Sequence, residues 1–358
     1  MFINVFITEQ CNLDCSFCYV YPKKQDVLNI DAFLEWFHIY KEIIANEYIE
    51  PFFSKGETVS QISKMHKTIE NSENVVDKNN IYMKKGDIEV RFFGGEPMLQ
   101  ATNVWKIIEG TKASNIRYDI CTNLVYEITP EIAKILDFCS ISSSWDPISL
   151  RFKTEKNFEL WKNNYLSIIK NKSIDIGVML TKEILEMDPY LLFKYLASLK
   201  INSVQFQKMR SVGKAVNLMS PTWEEVDDWL CKAYDVKIPE LTVNMFDKFA
   251  NICKQKLDLD LAFALERAFE YEHNQLNINA DGTISISSLN YTKPFSNIFN
   301  YNKNDVKGVS ITTPLKCRIC NLYKYCDCNN SLLSWQLDAC TFPIKLFKKI
   351  MHEYNIQI

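Results

Sequence analysis

Short runs rich in β-branched and aromatic residues alternate, over the first two hundred positions, with longer stretches whose apolar residues recur every three or four. The runs are INVFIT (3 to 8), IEVRFF (88 to 93), YDICT (118 to 122), SISSSW (140 to 145), IDIGVML (174 to 180) and SVQFQ (203 to 207). Between them lie helical patterns such as PEIAKILDF, NFELWKNNYLSIIKN and DPYLLFKYLASLK. Six strands with helical crossovers predict an α/β fold with a parallel sheet, either doubly wound or curled into a partial or full barrel. Ligands are expected at the C-terminal strand ends in each case.

The parallel pattern is interrupted once and then stops. Residues 54 to 87 are polar and rich in lysine and asparagine, which reads as an insertion with some helix. The alternation ends near Ser211-Val212-Gly213. After Pro221 come the helical TWEEVDDWLCKAYD, a second helical stretch DLDLAFALERAFEYE, and a hairpin-like NINADGTISIS turning at Asp281-Gly282. Three parts follow: a sheet domain over 1–215, a helical bridging segment over 216–275 and a C-terminal domain over 276–358.

Composition narrows the classes. A chain of 358 residues with 47% hydrophobic and 24% charged residues can bury a sizeable core. Its net charge of -3 gives no surplus of Lys and Arg with which to grip nucleic acid or an anionic membrane. MFINVFI is apolar but lacks the basic start and cleavage site of a signal peptide, and nothing later approaches the roughly 20 apolar residues of a membrane span. A cytoplasmic location is expected. There, thiols stay reduced, so clustered cysteines point to metal or redox chemistry and not to disulfides.

The twelve cysteines are grouped unevenly. Cys11, Cys15 and Cys18 sit in TEQCNLDCSFCYV (8 to 20), directly after the first strand. Cys317, Cys320, Cys326, Cys328 and Cys340 sit near the C-terminus. Cys121, Cys139, Cys231 and Cys253 are solitary and read as small buried hydrophobes. Three thiolates are one short of a closed four-cysteine site: tetrahedral zinc lacks a fourth donor here, whereas a cubane iron-sulfur cluster would keep one iron open.

With Phe17 before the third cysteine, the C-x3-C-x2-C loop resembles the signature of the radical S-adenosylmethionine (radical SAM) enzymes. Gly94-Gly95-Glu96-Pro97, at the end of the second strand, is similar to the family's GGEP motif, which binds the amino group of the SAM methionine. Glycines admit close backbone approach and a carboxylate suits an ammonium. Asn123 in Cys121-Thr122-Asn123 resembles the family's TN at the third strand end. Ser144-Trp145-Asp146-Pro147 looks like its S-x-D-G-P segment without the glycine, with Ser144 near the SAM carboxylate and ribose. Arg151 is the candidate for the carboxylate-binding arginine. QKMRSVGKA resembles the sixth-strand exit of the peptide- and protein-maturing subgroup. The resemblance thus implies a partial (β/α)6 TIM-type barrel.

That subgroup carries a C-terminal SPASM or twitch extension with auxiliary clusters. CRICNLYKYC supplies C-x2-C-x5-C, and Cys340 precedes TFPIKLFKKI, like the family's last cysteine and its aromatic helix. By resemblance Cys317, Cys320, Cys326 and Cys340 hold one auxiliary cluster of the 4Fe-4S type, although four thiolates at these spacings suit a zinc ribbon as well. In the subgroup's G-x4-C hairpin, counted from Gly282, the cysteine position is filled by Ser287, and Cys328 makes C-x-C where the subgroup has C-x3-C. A single auxiliary cluster is therefore expected, with Cys328 an alternative ligand or a free thiol.

The chemistry implied is one-electron. A reduced 4Fe-4S cluster on Cys11, Cys15 and Cys18 would cleave SAM to a 5'-deoxyadenosyl radical that removes hydrogen from a ribosomally made peptide, which then gains a carbon-carbon or thioether crosslink. The resemblance names no catalytic side chain. The alternatives are peptide epimerisation, with Cys231, Cys253 or Cys328 returning hydrogen; oxidation of a protein side chain as in sulfatase maturation; and a non-catalytic iron-sulfur scaffold. An electron donor such as flavodoxin or ferredoxin is implied. With the first strand starting at residue 3, leader recognition is expected to fall to a separate protein, the 54 to 87 segment or the peptide itself.

Overall fold

The computed structural model describes residues 2–46, 87–209, 213–217, 220–254, 275–285, 294–302 and 343–355. Six parallel strands, β1 (Phe2–Thr8), β2 (Ile88–Gly94), β3 (Ile116–Cys121), β4 (Ser140–Ser144), β5 (Asp175–Leu180) and β6 (Ser203–Lys208), lie side by side in chain order. A doubly wound sheet would reverse its order midway. This one does not, and with right-handed crossovers every connection falls on one face.

The burial pattern identifies that face. Ile88, Val90 and Phe92 of β2, Tyr118 and Ile120 of β3, Ile176, Val178 and Leu180 of β5, and Val204 and Phe206 of β6 are buried in one continuous core. The alternate residues, among them Arg91, Asp119, Cys121, Ser142 and Ser144, remain half-buried on the opposite face. Successive side chains of a strand point to opposite sides, so one face is apolar under helices and the other carries these polar groups, with Phe6 and Phe93 stacked among them on β1 and β2.

The covering helices start where the sequence provides caps. They are α1 (Ile30–Asn46), α2 (Ala101–Thr111), α3 (Pro130–Phe138), α4 (Glu155–Ile168), α5 (Lys182–Leu185) and α6 (Pro189–Ser198). Thr129, Thr154, Thr181 and Asp188 each accept the N–H three residues on, and Pro130 and Pro189 fill first-turn positions whose N–H would have no partner. α7 (Trp223–Asp235) opens with a capping box in which Thr222 and Glu225 satisfy each other's backbone.

Three features were not legible beforehand. β7 (Thr242–Val243) extends the sheet beyond β6, and α8 (Asn244–Lys254) follows it. β8 (Gln275–Ile278) returns to the far edge and pairs in parallel with β1, and the expected hairpin then runs through β9 (Thr283–Ser285) to β10 (Ser296–Asn297). Its Gly282 has φ +81, as the turn demands. The last helix, α9 (Ile344–Glu353), is held by α7 and α8: Asp227 of α7 accepts the N–H groups of Lys345 (2.6 Å) and Leu346 (2.9 Å), and the rings of Phe249 in α8 and Phe347 meet at 5.0 Å. Most of the 54 to 87 segment and the second helical stretch beyond α7 lie outside the described residues, as do Cys317, Cys320, Cys326, Cys328 and Cys340.

Candidate functional site

The loop from Glu9 to Val20 leaves β1 at its C-terminal end and is gripped from several sides. Gly95 N donates to Thr8 O at 2.7 Å and Glu96 N to Gln10 O at 2.8 Å. Gly94 has φ +127, and a Cβ on Gly95 would stand 1.9 Å from the Gln10 carbonyl oxygen. The glycines of the GGEP turn therefore let the end of β2 touch the backbone of the cysteine loop itself. Opposite, Lys214 N donates to Cys18 O at 2.9 Å, and a Cβ on Gly213 would lie 2.4 Å from that same oxygen. Lys214 also pairs with Asp14, Lys23 Nζ donates to Leu13 O at 2.7 Å, and Ser16 N to Leu150 O at 2.9 Å.

All three loop thiols are half-buried. Cys11 Sγ accepts from Leu13 N at 3.4 Å and from Asn123 Nδ2 at 3.6 Å. Cys15 Sγ lies 3.9 Å from Arg151 O and Cys18 Sγ 3.4 Å from Val20 O. Burial pushes the Cys11 and Cys18 thiols up, so a metal would be what draws off their protons. Among the described residues no three Cys, His, Asp or Glu side chains already converge as metal ligands. In kind the donor set fits an iron-sulfur cluster: three thiols on one loop, two N–H donors directed at the first sulfur, and a mouth open to solvent.

Glu96 is fully buried and links three elements. It caps the 3-10 turn Pro97–Gln100 through Met98 N (3.0 Å) and accepts from Thr122 Oγ1 (2.8 Å) and Asn123 N (2.7 Å). Three of about four lone-pair positions on the carboxylate are thus filled by protein donors. Asn123 completes the relay, donating to Asn12 Oδ1 at 2.7 Å and accepting from Val125 N at 2.8 Å. The GGEP carboxylate and the TN asparagine together lock β2 and β3 onto the cysteine loop.

Burial raises Glu96 from 4.5 to about 7, against the lowering effect of its three hydrogen bonds. The folded value lies above the ordinary one, so the stabilisation this group contributes is complete below about pH 4.5 and is lost as pH rises through about 7. The metal-free protein is expected to melt at lower temperature near pH 8 than near pH 5.5, and Glu96→Gln to shrink that difference. Differential scanning calorimetry at the two pH values tests this; an equal drop in both proteins would assign the effect to other groups.

Past β4, Ser144 is half-buried at the mouth, and Gly177 in β5 leaves its hydroxyl room. Arg151 Nε meets the buried Asp146 at 2.5 Å, Asp146 Oδ1 accepts Met179 N at 2.8 Å, and the guanidinium sits 5.3 Å above the Phe17 ring. Phe17 packs with Met209 and Ala215 in a small separate cluster. Sequence reasoning did not assign Asn12, Asp146 or Gly213. All three lie inside quoted motifs, but nothing in the sequence gave any of them a role. Of the solitary cysteines, Cys121 is on the polar face in register with Ser142, whereas Cys139, Cys231 and Cys253 pack into or against the helix-covered core.

A single-wound parallel sheet with a cysteine loop at its ligand-binding mouth is the architecture of the radical SAM enzymes, and this chain has that fold. SuiB of Streptococcus suis, solved with S-adenosylmethionine, superimposes with a TM-score of 0.57 at 13% identity, covering 91% of this chain and 72% of that one. SuiB bound to the precursor peptide SuiA gives 0.54 at 13% identity, covering 91% and 70%. The radical SAM cyclopropyl synthase TigE of Paramaledivibacter caminithermalis is 24% identical over 182 residues, or 49% of this chain and 32% of that protein. The match thus spans about a third of the curated relative. No protein-family model matches the chain.

Proposed function

We propose that this chain is a radical SAM maturase that abstracts hydrogen from a ribosomally made peptide and installs a carbon-carbon or thioether crosslink. The observation that carries this reading is the cysteine loop clamped between the GGEP turn, the TN asparagine and the Gly213 segment. The likeness to SuiB and TigE supports it. The sheet of β1 to β6 is read as a partial (β/α)6 barrel of residues 1–215, bridged by 216–275 to a SPASM-like domain over 276–358.

When bound, a 4Fe-4S cluster with SAM would supply the 5'-deoxyadenosyl radical. The chain's own part is to hold three thiolates on one loop and to direct Leu13 N–H and Asn123 Nδ2 at Cys11. It would also receive the nucleoside and amino-acid ends of SAM near Ser144, Arg151 and the Gly94–Pro97 turn. Asp146 fixes Arg151 so that its remaining N–H groups are directed without reorganisation. An electron donor of the flavodoxin or ferredoxin type belongs to this reading, as does a cytoplasmic location, where the thiols stay reduced. The placement of Cys231 and Cys253 in the helical layer favours crosslinking over epimerisation by either thiol.

The test is anaerobic co-expression with short peptides encoded beside the gene, read by mass spectrometry. Loss of about two hydrogens supports a crosslink or a side-chain oxidation, which fragmentation of the product separates; an unchanged mass with inverted chirality would favour epimerisation. The cluster inventory is a separate expectation. Three N-terminal thiolates plus Cys317, Cys320, Cys326 and Cys340 provide for two cubanes, so reconstituted protein should hold about 8 iron, and a triple alanine mutant of Cys11, Cys15 and Cys18 about 4. Retention of about 8 iron by that mutant would mean a second auxiliary cluster, and zinc in place of iron would mean a structural ribbon.

A further inference from the structure

The turn after β3 aims one amide at the first cysteine of the loop. Asn123 is 8% exposed, and each polar atom of its side chain has a partner. Its Oδ1 accepts Val125 N at 2.8 Å, while Nδ2 donates to Asn12 Oδ1 at 2.7 Å and to Cys11 Sγ at 3.6 Å. Asn12 is fixed in turn, because its own Nδ2 donates to Val125 O and leaves the oxygen facing Asn123. Turning the Asn123 amide over would set its oxygen against Asn12 Oδ1 and its NH2 against the N–H of Val125, so the donor stays on the sulfur.

A further residue holds that turn. Leu124 has φ +55, a left-handed conformation that a residue with a bulky side chain keeps only where its surroundings over-determine it. Asn164 of α4 supplies the constraint, donating its Nδ2 to both Leu124 O (2.9 Å) and Tyr126 O (2.7 Å). The other two loop sulfurs are placed differently, with Cys15 Sγ beside Arg151 O and Cys18 Sγ beside Val20 O. Among the described residues, Cys11 is the one loop sulfur that a side-chain N–H reaches.

We propose that Asn123 sets the reduction potential of the cluster that the three thiols would hold, through its N–H···S hydrogen bond to Cys11, and that Asn164 is a positioning residue for it. The inference rests on the radical SAM reading and adds to it the residue that tunes the cluster. Taking up one electron makes a thiolate-ligated cluster more negative by one unit. A donor on the sulfur stabilises the more negative state more, so it raises the potential. Leu13 N also donates to Cys11 Sγ, at 3.4 Å, but that backbone donor is present whatever the side chain at position 13. The Asn123 amide is the part that depends on residue type, and at a buried position water does not restore it.

The test is a redox titration of the anaerobically reconstituted full chain with dithionite, followed by electron paramagnetic resonance. The signal missing from the triple alanine mutant of Cys11, Cys15 and Cys18 identifies the loop cluster. Asn123→Ser keeps an oxygen that can accept Val125 N in the same kind of turn but has no N–H to give Cys11. Its one-electron reduction equilibrium is expected to be about tenfold less favourable, a potential about 59 mV more negative. Asn123→Asp keeps the shape and adds a negative charge, so it should fall further. Asn164→Ala is expected to move the potential in the same direction by less, with its iron retained; a merely structural role would lower the melting temperature and leave the potential unmoved. A wild-type potential in both Asn123 variants overturns the proposal, and so does loss of iron from both, since Asn123 would then hold the loop and not tune it. A wild-type potential in Asn164→Ala overturns its positioning role. Absence of a reducible loop cluster from the wild-type protein would instead overturn the radical SAM reading, so the two failures are distinguishable.

Discussion

Alanine at Cys15 is expected to abolish reductive SAM cleavage, and alanine at Cys11 or Cys18 to do the same. Each thiol is one of three on a single loop, so losing one leaves two donors for a cluster that needs three. The fold should survive, because the loop lies at the mouth and its grip comes from backbone bonds at Thr8, Gln10 and Cys18. The measurement is 5'-deoxyadenosine formation by dithionite-reduced, anaerobically reconstituted protein, beside circular dichroism to verify folding. Undiminished product from the triple mutant would end the radical SAM assignment.

Gly95→Ala is expected to be as damaging by a different route. The added Cβ would stand 1.9 Å from Gln10 O and 2.5 Å from Glu9 O, both backbone atoms that cannot rotate away. Relief requires parting β2 from the cysteine loop, which breaks the Gly95–Thr8 and Glu96–Gln10 hydrogen bonds and disturbs the burial of Glu96. A destabilisation of about 3 kcal/mol is expected, with loss of iron on reconstitution. Gly177→Ala is the control, since its Cβ would meet the Ser144 hydroxyl at an ordinary 3.5 Å and the backbone there is not left-handed. Thermal melts and iron analysis of both variants test the pair. Equal behaviour would show that the turn yields more readily than this geometry allows.

Glu96 illustrates how a motif can be legible while its local role is not. The sequence places a carboxylate after two glycines at a strand end, where an ammonium ligand suits it. The fold turns that carboxylate inward, onto Thr122 and Asn123 of the neighbouring strand, residues 26 and 27 positions away. Only register brings β2 and β3 together, and register is not written in either segment alone. Asn12 escaped for the same reason: its partner, Asn123, lies 111 residues away.

What the sequence determined by itself is local. Period-two runs between three-to-four-period runs specified the six strands and their crossover helices; Thr129, Thr154, Asp188 and the Thr222–Glu225 box specified where helices begin; and the spacing of Cys11, Cys15 and Cys18 specified a three-thiol loop. These follow from side-chain periodicity and from hydrogen bonds within a few residues, which act before any distant contact forms. Only the tertiary structure decided the single-wound order of the sheet, the return of β8 to the free edge of β1, and the approach of Asn123 to Cys11. It also revealed that Gly95 and Gly213 owe their identity to carbonyls of the cysteine loop. Each of these depends on which segments become neighbours, and that is set by burying the whole apolar face at once.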